Sequence, residues 1–143
     1  MKKNTPKQKK FPVALTRCDN YSEKNVAEAI NRQFELLGGI DKFIKPGKTV
    51  LLKPNFIVPR APQTCAQTDP AIVIETAKIV KQAGAKCIVG DSPAWNTVTS
   101  CAKKLNLIEK LKALDVQLTA LKNPVNTKLP SFKIPISKTA LEA

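Results

Sequence analysis

Between Thr49 and Pro93 the chain reads strand, helix, strand, and that order leaves few folds open. TVLLKPN (residues 49–55) begins as a run of branched aliphatics, the pattern of a buried strand. TDPAIVIETAKIVKQAGA (residues 68–85) follows with its own punctuation. Asp69 is a natural helix N-cap, Pro70 suits the first helical position, and Gly84 suits the stop. Ile72, Thr76, Ile79 and Ala83 fall on one stripe, with Val73, Ala77 and Val80 beside it, so this helix is expected to cover a sheet. KCIVGDSP (residues 86–93) is the next strand, ending at Gly90. One crossover helix between two strands makes them parallel.

The same alternation extends in both directions. PVALTRC (residues 12–18) reads as a strand, and Ser22 as the N-cap of a helix over EKNVAEAINRQFELL that Gly38-Gly39 stops. A helical turn at IDKFI and a tight turn at Pro46-Gly47 lead into the strand at Thr49. Beyond Pro93, helical patterns run from Val98 to Lys104 and from Leu107 to Leu114. VQLTAL (residues 116–121) is a further strand. NPVNTKLPSFKIPI then reads as a hairpin at the sheet's edge, and Ser137 as the N-cap of a last helix. The expected fold class is α/β: a mainly parallel sheet with crossover helices on its faces. Residues 1–11 are expected to be a disordered basic arm, and residues 12–143 an α/β domain that is incomplete. The final helix is cut after one and a half turns, with no strand to use it. A sheet truncated there is expected to be marginally stable alone, and to self-associate or need a complementary chain.

Composition narrows the function. The formal net charge is +13, from 24 basic and 11 acidic residues, and five lysines fall in the first ten positions. Such an excess attracts anionic ligands and acidic partners. Lysine outnumbers arginine, and one Trp and one Tyr offer no base-stacking motif, which argues against nucleic acid. No apolar run approaches a membrane span, and the basic N-terminus lacks a signal peptide's apolar core. With no export signal and four unpatterned cysteines, the expected compartment is the cytoplasm. Histidine is absent, so the usual neutral-pH base and the commonest metal ligand are missing.

The strand ends are where chemistry is expected. Ligands of open parallel sheets bind beyond the carboxyl ends of the strands. Lys53-Pro54-Asn55 ends one strand and Gly90-Asp91-Ser92-Pro93 ends its parallel neighbour, so both open on one edge. The N-terminus of the helix at Thr68-Asp69 opens there too. Lys53, Asn55, Thr68, Asp69, Asp91 and Ser92 are therefore candidate ligand-binding residues around a small-anion pocket. Lys53 would be its cation and Asp91 a polar anchor or proton acceptor, while a strand-end lysine is expected to add little to the core. Each piece has a plainer reading as a turn, with Asp91 or Ser92 capping the next helix. No catalytic residue is assigned. Cys18 and Cys87, in strands, are expected to be small buried side chains, whereas Cys65 and Cys101 could approach the edge. No cysteine spacing supports a metal or iron–sulfur site in this chain. Trp95 could roof a pocket, though a partly buried packing role is the commoner one.

VLLKPNF, TDPAIVIETAKIVKQAGA and IVGDSP, in this order, resemble the N-terminal half of the Domain of Unknown Function 362 family. VALTRCDNY, FELLGGIDKFIKPGKTV and PISKTALEA match as well, so the resemblance runs from Val13 to the end. It places the family's two signature turns at Lys53-Pro54-Asn55 and Gly90-Asp91-Ser92-Pro93. It places the helix-start motif at Thr68 and Pro70, with Asp69 where many members carry histidine. The resemblance implies bacterial and archaeal relatives that often continue into a ferredoxin-like module with 4Fe-4S clusters, absent from this chain. It implies a truncated copy and no defined activity. Two further readings stand beside the anion pocket: a basic scaffold domain for an acidic partner or nucleic acid, and an inactive gene fragment.

Overall fold

A computed structural model describes residues 11–128 and 133–137. The basic arm expected over residues 1–11 lies outside it except for Phe11, as does the helix expected after Ser137. Helix α1 spans Glu23–Leu36, β1 Thr49–Leu52, α2 Pro70–Gln82, β2 Lys86–Asp91, α3 Val98–Lys104, α4 Ile108–Ala113 and β3 Gln117–Ala120. Strands β4 (Pro124–Lys128) and β5 (Lys133–Ser137) follow.

Strands β1, β2 and β3 form a parallel sheet in that order, with Val50 opposite Cys87 and Val89 opposite Leu118. The expected α/β fold is present. Successive right-handed crossovers that always step the same way put every crossover helix on one face. Cys87 and Val89 accordingly point into a core shared with Val73, Ala77 and Val80 of α2, Cys101 of α3 and Leu111 of α4. Alternation sends Leu51, Gly90 and Thr119 to the opposite face. A Cβ on Gly90 would lie 3.0 Å from side-chain methyls of Leu121 and Thr119 and 3.2 Å from one of Leu51, so glycine lets these pack across the strand.

Local chemistry sets the helix ends. Asp69 caps α2 by accepting from the Ala71 N–H at 2.8 Å, and Gly84 stops it at φ +77°. Ser22 caps α1, accepting from Asn25 at 3.3 Å. The α2 stripe that reaches the core is Val73, Ala77 and Val80 with Ile74, while Ile72 is left 37% exposed. Helix α3 is capped by Thr97, whose side chain and that of Ser100 exchange capping bonds. Asp91 and Ser92 therefore do not cap it, which removes that plainer reading.

Buried Glu75 pairs with Lys78 at 2.7 Å, and Glu23 of α1 reaches both Lys78 and Lys110 of α4 at 3.4 Å. The hydrogen bond from Lys110, with help from Lys78, holds the Glu23 carboxyl below its ordinary pKa, and the Glu75 bond raises Lys78.

Two local expectations need correction. The hairpin forms, but as a separate two-stranded antiparallel sheet rather than on the edge of β3. Residues 12–18, expected as a strand, alternate in exposure but join no sheet among the described residues, and Cys18 is exposed, not buried. Cys87 is buried as expected, and desolvation pushes its thiol pKa up to about 11. Burial, with the Asp91 charge adding to it, also raises Cys101. Thiol titration of the native protein should therefore count Cys18 and Cys65 quickly, with Cys87 and Cys101 reacting only on unfolding. Four fast thiols would contradict this packing.

Candidate functional site

The extended path of β1 does not stop at Leu52. Pro54 and Phe56 keep facing inward and are buried, whereas Lys53, Asn55 and Ile57 alternate outward. Phe56 is only 1% exposed and belongs to the core. On β2, the alternation that buries Cys87 and Val89 also buries Asp91, which is 4% exposed. A carboxylate thus ends a stripe of core positions.

Its two oxygens are both engaged. Oδ1 lies 2.7 Å from the Lys53 ammonium, and Oδ2 accepts the Phe56 backbone N–H at 2.8 Å. The Asp91 carbonyl accepts from Leu121 N–H at 2.9 Å, linking the end of β3 to the same residue. Asp91 therefore ties together the carboxyl ends of all three parallel strands. A buried carboxylate is costly unless paired and hydrogen-bonded, and here it is both. Lys53 remains 59% exposed as a side chain while holding this contact. It is not a bystander to the fold, contrary to what its place at a strand end suggests.

The loop from β1 to α2 is latched at its base. Asn55 N–H donates to Thr68 Oγ1 at 2.8 Å, and Thr68 N–H donates back to the Asn55 carbonyl at 3.2 Å. Higher in the loop, Gln67 Nε2 donates to the Arg60 carbonyl at 2.9 Å. Asp69 receives much of the α2 amino end: Ala71 bonds its side chain, Ile72 and Val73 its carbonyl, and Pro70 has no N–H. The helix terminus that looks open to an anion is largely satisfied from within.

Two clefts flank the Lys53–Asp91 pair. Asp91, Ser92, Asn96, Thr97, Thr119 and Lys122 line one of about 480 Å³, between the ends of β2 and β3 and the loop into α3. Lys53, Thr68, Ile72 and Thr76 line a smaller one of about 270 Å³ on the α2 side. Lys53, Thr68, Asp91 and Ser92 thus border a divided edge, and Asn55 and Asp69 support it from the loop. Lys122, Thr119 and Asn96 were not singled out by sequence reasoning, although β3, being parallel, had to end on this same edge. Cys65 sits exposed at φ +50°, Cys101 is fully buried behind Asp91, and Trp95 is 66% exposed, roofing nothing. Among the described residues no three His, Cys, Asp or Glu side chains come together as a metal site.

The model of a domain of unknown function, number 362, matches residues 50–143, which carry the two strand ends and the latched helix start described above. The chain belongs to the Domain of Unknown Function 362 family. The chain is also similar to a thylakoid-associated protein of Synechocystis, with 33% identity over 133 residues. That match covers 92% of this chain but 41% of the relative, so the chain spans about two fifths of the relative's length. No solved structure matches it. Asp91 holds the two strand ends within the matched region together, by its ion pair to Lys53 and by the hydrogen bond it accepts from Phe56.

Proposed function

We propose that the carboxyl edge of the sheet binds a small anion, with Lys53 as its cation. The observation that carries this reading is the contact between exposed Lys53 and buried Asp91 at 2.7 Å. An ammonium has three donors, and a carboxylate beneath it orients the group while leaving donors toward solvent. With one contact on each oxygen, Asp91 serves as the anchor that holds Lys53 in place. Lys53 lines the smaller cleft, while Ser92 and Lys122 line the larger one on the other side of Asp91 and add a hydroxyl and a second positive charge to the same edge. A phosphate or a carboxylate metabolite has the size and charge for this edge.

The basic-scaffold reading is favoured by a different place. A cleft of about 560 Å³ at the opposite, amino edge of the sheet is rimmed by Lys81, Lys86 and Lys112. Lys81 is offset by Asp115 at 3.2 Å. An acidic partner would engage this end. We place iron–sulfur chemistry outside this chain, in the separate module that the resemblance implies for other members. Among the described residues no helix is long and apolar enough to cross a membrane. The free cysteines fit a reducing compartment, which we read as the cytoplasm, whereas the Synechocystis relative is thylakoid-associated.

Inorganic phosphate, titrated by calorimetry against the native chain and Lys53→Met, tests the anion site. The native chain should bind, and the variant should lose at least tenfold in affinity with its circular dichroism retained. Equal affinity in the two would remove Lys53 from the site.

A further inference from the structure

Residues 13–18 show the alternating exposure of a strand but belong to no sheet among the described residues. Val13 is 90% exposed and Leu15 89%, with Arg17 continuing the outward series, while Ala14 and Thr16 turn inward. The inward side is fastened to α1, where Thr16 Oγ1 donates to the Ala29 carbonyl at 3.2 Å. No backbone–backbone hydrogen bond joins Val13 through Cys18 to another described residue. Clefts of about 400 and 440 Å³ flank the segment along α1, the second lined by Tyr21, Val26, Ile30 and Ile72. Tyr21 is itself 60% exposed, and Val26 is the one described α1 residue that is fully buried.

Period-two exposure of branched aliphatics is what a strand shows to a neighbouring layer, and unpaired main-chain groups are what its edge shows to another strand. Only an added strand answers both, by pairing the backbone and covering alternate side chains. A second copy of this chain is a poor occupant, because each copy brings a net charge of +13. The longer relative points to a better one, since roughly three fifths of its length lies beyond the region matched here. We propose that residues 13–18 accept a β-strand from the part of the longer relative that lies outside this match. The proposal is independent of the anion site, which lies at the sheet's carboxyl edge.

Hydrogen–deuterium exchange provides the test on three intact proteins: this chain, the full-length Synechocystis relative, and a chimera in which this chain replaces the matched region of the relative. The amides of Val13 to Arg17 should exchange freely in this chain alone. Amides in this ladder should slow by about 100-fold in the chimera, and likewise at the matching positions of the relative. Leu15→Asp should abolish that protection in the chimera yet leave the unfolding of this chain unchanged, since Leu15 is almost fully exposed. Free exchange at these positions in the relative would overturn the proposal whether or not the chimera folds. Protection in this chain alone with a dimer's mass would assign the segment to a second copy instead.

Discussion

Replacing Phe56 by alanine is expected to cost about 3–5 kcal/mol of stability, the usual range for emptying a fully buried aromatic site. Phe56 is 1% exposed and sits in the cluster that joins the β1 exit to α2 and α3. A domain of this size holds about 5–15 kcal/mol in total, so the loss consumes a large share of it. Urea unfolding followed by circular dichroism should show a much lower midpoint with the same denaturant slope. Phe56→Leu, which refills most of the volume, should recover a good part. A midpoint unchanged in Phe56→Ala would mean that the segment after Lys53 is not part of the core.

The Asp91 substitutions have the next largest effect, and they separate two interactions. Asp91→Ala leaves the buried Phe56 N–H without an acceptor, a loss of about 1–3 kcal/mol. The freed Lys53 ammonium, 59% exposed, rehydrates and adds little. Asp91→Asn keeps an acceptor for Phe56 and gives up only the ion pair, so it should cost under about 1 kcal/mol. Lys53→Met removes the cation from a carboxylate that water hardly reaches, and is expected to cost more than Asp91→Asn. Equal stabilities for the alanine and asparagine variants would show that the bond to Phe56 carries no weight.

The parts of this fold that were legible in sequence are those written locally. Asp69-Pro70 and Gly84 mark both ends of α2 through backbone chemistry confined to a few residues, and the single crossover then forces β1 and β2 to be parallel. What was not legible depends on distant partners. The bond from Phe56 to Asp91 spans 35 residues, and nothing in KPNF or GDSP announces it. Thr97 rather than Asp91 or Ser92 caps α3 because the loop runs on past Pro93 before the helix begins. PVALTRC has the composition of a strand, yet among the described residues it joins no sheet, because composition says nothing about whether a partner strand is at hand. Cys18 is exposed for the same reason, since no neighbouring strand covers it.

The site followed the same division. That Lys53 and Asp91 share an edge follows from parallel strands, whereas their direct contact, and the consumption of the α2 amides by Asp69, needed coordinates. The claim that this edge binds an anion is tested most directly by two-dimensional amide NMR of the native chain during titration with inorganic phosphate. Saturable shifts are predicted at Lys53, Asn55, Ser92 and Lys122, with Lys86 and Lys112 at the opposite edge unmoved. Shifts confined to Lys86, Lys112 and their neighbours, or none at all near Lys53 and Ser92, would contradict it.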